Sequence, residues 1–135
     1  MDLSLEVVVL PVSDVDAAVR FYVEVCGFVL DHDFGGPGHR VVQVTPPGSA
    51  CSVAFGDAQD MPRVADSHGV RPGLQLVVDD VEAARQLLLD RGVDVGHVRH
   101  MRDGRWQDGH GGDWNAFAFF RDPDGNRWAL QERPG

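Results

Sequence analysis

The strongest constraint on the fold is an internal repeat. Asp14-Val15-Asp16-Ala17-Ala18 returns 66 residues later as Asp80-Val81-Glu82-Ala83-Ala84, and Gly27 returns as Gly92 after 65. Around each copy the hydrophobic pattern reads strand, helix, three strands. Leu5–Val12 is a β-branched run that reads as a strand, with Pro11 marking an edge position or an exit from the sheet. Ser13 or Asp14 caps the next helix by accepting a free N–H of its first turn. Val15, Ala18, Val19, Tyr22 and Cys26 recur at helical spacing as one apolar stripe. Gly27 ends that helix in the left-handed conformation. Phe28–Phe34, Val41–Thr45 and Cys51–Phe55 follow as strands, separated by Gly35-Gly36-Pro37-Gly38 and Pro46-Pro47-Gly48. The second copy offers strand Leu74–Val78, a cap at Asp79 or Asp80, and helix Val81–Arg91 closed by Gly92. Val95–His100, Asn115–Phe120 and Arg127–Gln131 are its remaining strands. The last two join through Asp122-Pro123-Asp124-Gly125-Asn126, a sequence suited to a tight reversal.

The class is therefore α+β, built from two βαβββ modules: residues 1–57, a mixed polar linker over 58–72, and residues 73–135. A four-stranded sheet with one helix covers only one of its faces, so two copies should pack or pair. Two curved mixed sheets side by side enclose a trough, a natural cavity for a small molecule.

Charge narrows the partners. A net charge of −9 argues against nucleic acid, whose phosphates require basic patches. It suits a cationic small molecule, or it serves solubility alone. No run approaches the roughly 20 apolar residues of a membrane span, and the acidic opening does not resemble a leader. Cys26 and Cys51 make no disulfide framework and read as small buried hydrophobes, which points to the cytoplasm.

Val8-Val9-Leu10-Pro11-Val12-Ser13-Asp14, then Arg20-Phe21-Tyr22 and Cys26-Gly27-Phe28, resemble the opening module of the vicinal-oxygen-chelate superfamily (glyoxalase, bleomycin resistance and dioxygenase proteins). Gly73–Ala84 and Phe119–Gln131 resemble its second module, so the likeness spans nearly the whole chain. It implies the paired-module fold and, as a rule, a homodimer. The superfamily holds metal-dependent glyoxalases, dioxygenases and epimerases as well as metal-free proteins that sequester antibiotics. Fold alone does not choose among them.

The family's enzymes hold a divalent ion with His, Gln or Glu from equivalent strands. Carried onto this chain, the four ligand positions are Val7, Ala54 (or Val53, one residue off), Gly73 and Ala129. None has a metal-binding side chain, and the nearby Glu6 and Glu132 have the wrong strand parity. The expectation is no metal and no cofactor. The six histidines read as solvated; His97 and His100 point to opposite faces of their strand. His110 is the one candidate acid–base group, and a non-standard ion held by His110 with Asp108 or Asp113 stays open.

Strand alternation names the companions of those four positions: Val9 beside Val7, Gln75 and Val77 beside Gly73, Arg127 and Gln131 beside Ala129. Trp128, of opposite parity, packs under a helix. Phe117 and Phe119 share a face and read as either cavity wall or core, with core favoured. Asp103–Trp114 reads as a glycine-rich mobile lid whose Trp106 and Trp114 either stack on a ligand or cover the end of a sheet or a dimer contact. The ligand-binding set is thus Val7, Val9, Ala54, Gly73, Gln75, Trp106, His110, Trp114, Arg127, Ala129 and Gln131. The expected function is metal-independent binding of a small molecule, such as an antibiotic or another aromatic or cationic metabolite. The alternative is a glyoxalase-like lyase, isomerase or dioxygenase-type enzyme working without the usual metal site.

Overall fold

The computed structural model describes residues 1–135. The chain is α+β, with two mixed sheets of four and five strands and few helices. It divides into two compact units, one of residues 1–72 with 123–126 and one of 73–122 with 127–135.

In the first unit, β1 (Val7–Val9) leads to helix α1 (Val15–Val19), which widens into a π-helical segment over Arg20–Val25. Asp14 is the cap: its carboxylate accepts the Ala17 N–H at 3.0 Å. The wider turn closes with Cys26 N–H donating to the Phe21 carbonyl, a bond five residues long. Val15, Ala18, Tyr22 and Cys26 are all buried, so the apolar stripe survives the change of pitch. Strands β2 (Val29–Phe34), β3 (Val41–Thr45) and β4 (Ser52–Gly56) complete a sheet of order β1-β4-β3-β2, with β1 and β4 parallel and the other pairs antiparallel. Its covered face carries Val42, Val44, Val53 and Phe55, and Tyr22 meets Phe28 and Phe55 at ring-centroid distances of 5.5 and 5.7 Å. The Pro123–Asn126 turn belongs to this unit through hydrogen bonds: Asn126 Nδ2 donates to the buried Pro11 carbonyl at 2.9 Å, and Ser13 donates through both N–H and Oγ to the Asp124 carboxylate.

In the second unit, β5 (Gly73–Val78) leads to α2 (Val81–Asp90), where Asp80 is the cap, accepting the Ala83 N–H at 3.0 Å. Strands β6 (Arg99–Arg102), β7 (Arg105–Asp108), β8 (Phe117–Arg121) and β9 (Arg127–Glu132) give the order β5-β9-β8-β6-β7, with β5 and β9 parallel. The core lies between sheet and helix: Trp128 stacks on Phe120 at 6.1 Å, with Val81, Leu88, Ala118 and Leu130 around them.

Two expectations are corrected here. Val95–Val98 is not strand; its valines are buried as a coil segment, and regular pairing begins only at Arg99. The segment read as a mobile lid contains β7, paired along its length with β6. The reversal between them is Asp103-Gly104, both at positive φ (53° and 76°). Positive φ at both central residues is the backbone of the hairpin turn whose twist matches antiparallel strands, and Asp-Gly is among its preferred sequences.

Candidate functional site

The registers define one continuous face of the second sheet. Gln75 pairs with Ala129 and Val77 with Gln131; Ala129 in turn faces Phe119, and Gln131 faces Phe117. Phe117 pairs with Arg99 on β6, which faces Asp108 on β7, while Met101 faces Trp106. Paired residues project to the same side of a sheet. Gly73, Gln75, Arg127, Ala129 and Gln131 therefore share a face with Phe117, Phe119, Arg99 and Trp106. Their neighbours of opposite parity, Ala118, Phe120, Trp128 and Leu130, are buried on the helix side. Phe117 and Phe119 are half-buried and form part of this open wall, the less favoured of the two expectations for them.

Trp106 is held on that wall. Its ring meets Phe117 and Phe119 edge-on, with centroids 5.5 and 5.2 Å away, and the two phenyl rings lie parallel at 6.1 Å. Over these rings sits the Arg99 guanidinium, 5.2 Å from the Trp106 centroid and 4.8 Å from that of Phe119. Such contacts contribute about 0.5–1.5 kcal/mol each, enough to give a partly exposed tryptophan one orientation. A recess of about 690 Å³ opens beside them, lined by Asp94, Arg99, Trp106, Phe119, Arg121 and Arg127 among others. That volume suits a drug-sized organic molecule. Gly73 adds room: a Cβ there would meet nothing nearer than the Arg127 guanidinium at 3.9 Å.

The loop after β7 is tied to the sheet by side-chain hydrogen bonds. Asn115 Oδ1 accepts the Met101 N–H at 2.9 Å while its Nδ2 donates to the Met101 carbonyl at 2.8 Å, so one amide side chain replaces a strand partner. His100, buried and not solvated, has Nδ1 2.8 Å from the Gly109 carbonyl. Gly111 lies so close that a Cβ would sit 2.7 Å from the His100 ring and 2.6 Å from Asn115 Nδ2. Gln131 Nε2 donates to the Trp114 carbonyl at 2.9 Å, fixing Trp114 at a positive φ of 57° with half of its surface exposed.

His110 lies apart from the aromatic wall. Its imidazole nitrogens are 3.8 Å from Glu82 and 3.6 Å from Glu132. Glu132 has the helix-side parity and also accepts the Val81 N–H that opens α2. Its acidic neighbours are thus these two glutamates, not Asp108 or Asp113, and Asp108 instead stands 3.3 Å from the exposed His97.

In the first unit, Val7 pairs with Ser52 and Val9 with Ala54, and Gln43 faces Ala54 from β3. Val7 and Val9 are 37% and 42% exposed, apolar positions left open to the surroundings. Val7, Ala54, Gly73 and Ala129 bring no nitrogen, oxygen or sulfur side-chain donor, and no group of three His, Cys, Asp or Glu gathers elsewhere to hold an ion. This donor set does not fit the divalent metal of the superfamily's enzymes.

A family model, the Glyoxalase/Bleomycin resistance protein/Dioxygenase superfamily, matches residues 4–130. The chain belongs to that superfamily. Among its solved members, similar structures include TnmS3, an antibiotic binding protein from Streptomyces sp. CB03234, at 36% identity, 99% coverage of both chains and a TM-score of 0.72. A glyoxalase/bleomycin resistance protein from the same strain is 37% identical over 95% of this chain and 99% of its own, with a TM-score of 0.67. A superfamily member from Sphaerobacter thermophilus DSM 20745 is 28% identical over 98% of each chain, with a TM-score of 0.69. No curated protein matches the sequence.

Sequence reasoning missed Arg99 and Arg121 as recess residues and underrated Phe117 and Phe119. The signal that would have found Arg99 is the Asp103-Gly104 turn. Counting outward from it pairs Met101 with Trp106 and Arg99 with Asp108, and places Arg99 on the tryptophan's face.

Proposed function

We propose that this superfamily member is a metal-independent small-molecule-binding protein that sequesters a planar aromatic compound of the antibiotic kind. The observation that carries the reading is the recess beside Trp106, Phe119 and Arg99, where rings and guanidinium are already arranged to receive a flat molecule. The four positions where related enzymes hold their metal lack donors, so the family's metal chemistry has no residues to begin from. Similarity to an antibiotic binding protein at 36% identity supports the same direction. Binding residues on this reading are those of the second sheet's open face, Gly73, Gln75, Trp106, Arg127, Ala129 and Gln131, with Trp114 on the adjoining loop.

A homodimer is part of the proposal, because Val7, Val9, Leu30 and Phe34 leave apolar sheet surface exposed at 37–60%. We place the protein in the cytoplasm, in keeping with its two unbridged cysteines; no helix is long and apolar enough to cross a membrane.

The test is a fluorescence titration of the purified protein with planar aromatic antibiotics, followed by mass analysis of the recovered ligand. Saturable tryptophan quenching near one equivalent per site, with the ligand unchanged, is the expected result. Recovery of a chemically altered ligand would replace sequestration with catalysis, and absence of quenching across the series would remove the reading.

A further inference from the structure

Net charge points one way and the recess points the other. The acids are spread unevenly: residues 1–72 with 123–126 carry four arginines against eleven acids, whereas the second unit carries eight against ten. Within the second unit, three arginines line the recess, Arg99, Arg121 and Arg127, against the single acid Asp94. Arg121 and Arg127 are directly opposed across the β8–β9 pair. Arg127 is exposed and has no carboxylate partner, and neither has Arg99. The aromatic faces that would attract a ligand cation are already occupied by the Arg99 guanidinium at 4.8 and 5.2 Å. A cationic ligand entering here would find those faces taken and meet the positive charges of Arg99 and Arg127. An anionic oxygen would find guanidinium donors already placed by stacking, in the planar geometry that carboxylates match.

We infer that the recess takes the anionic end of its ligand: the compound bound is a planar aromatic acid, its carboxylate or ionised phenol held by Arg99 and Arg127 while its rings fill the recess beside Trp106 and Phe119. The inference rests on the proposed binding function and deepens it by reversing the ligand charge that the overall acidity suggests.

Three matched probes test it: anthracene-2-carboxylate, its neutral carboxamide, and the 2-aminomethyl cation, each titrated into the full-length protein by tryptophan quenching. The carboxylate is expected to bind about tenfold or more tighter than the carboxamide, with the cation weakest, since a charge-assisted hydrogen bond is worth at least that factor. The preference should shrink with added salt and vanish in Arg99→Met with Arg127→Gln. Arg127→Gln alone, on an exposed side chain, should lose part of it, so the test survives a folding defect from the half-buried Arg99. Equal binding of all three, or tightest binding of the cation, overturns the anion site while the binding function stands. A carboxylate preference untouched by either substitution overturns the assignment to these arginines. No binding of any probe up to about 1 mM removes the aromatic recess on which both readings rest.

Discussion

Asn115 offers the sharpest test of how the wall is held. Its side-chain amide makes two hydrogen bonds to one residue, accepting from Met101 N–H at 2.9 Å and donating to Met101 C=O at 2.8 Å. Met101 lies opposite Trp106, so Asn115 secures the strand that sets the tryptophan's place. Each neutral hydrogen bond contributes about 0.5–1.5 kcal/mol net, so losing both costs about 1–3 kcal/mol. Both backbone groups lie near solvent, where water offsets part of the loss, which puts Asn115→Ala at about 1–2 kcal/mol. Asn115→Asp keeps the acceptor but turns a second oxygen toward the Met101 carbonyl, so at neutral pH it should cost as much as alanine despite being isosteric. Urea unfolding measures the free energy, and hydrogen exchange at the Met101 amide reports the local contact. In the alanine variant that amide should lose protection while those of β8 and β9 keep theirs. An aspartate variant as stable as wild type, or unchanged Met101 protection in the alanine variant, would refute the clamp.

Three further outcomes follow from the same contacts. Trp106→Ala should weaken binding of a planar aromatic ligand by about tenfold and Trp114→Ala by less, because Trp106 lines the recess and packs edge-on in the aromatic wall; equal effects in a binding titration would contradict this. Zinc, nickel, iron or manganese in excess should leave the melting temperature unchanged, and a specific rise in a thermal scan would mean that the four ligand positions are misplaced. The Asp33 carboxyl is held below its ordinary range by a hydrogen bond from Arg40, and that of Asp57 by the backbone N–H groups of Arg40 and Gly38. Both are bound more tightly as carboxylates when folded, so their stabilisation is full above about pH 4 and is lost as pH falls through the lowered folded values. Arg40→Met should remove the Asp33 share of that acid limb and leave the Asp57 share, which rests mainly on backbone N–H groups, and an unchanged limb would show that the Arg40 side chain does not hold Asp33.

Much of the framework was readable in the sequence because it is encoded locally. Strand Val41–Thr45 has the boundaries its alternation suggests, and each helix is capped by an aspartate at the expected start of its stripe. The β6–β7 hairpin was read as a loop because Arg105-Trp106-Gln107-Asp108 is exposed throughout and lacks the β-branched alternation that marks a strand. Asn115 and His100 gave no sign of clamping that loop, since both act on backbone groups in other segments.

By itself the sequence determined the repeated strand–helix order, the turns, the parity of each strand and the absence of metal donors at Val7, Ala54, Gly73 and Ala129. Those properties depend on residues a few positions apart. Only the tertiary structure decided which charged and aromatic residues share the recess. Cross-strand register brings Arg99, Arg121 and Arg127 around Trp106 and Phe119, while overall charge sums over the whole chain and is blind to where each arginine lands.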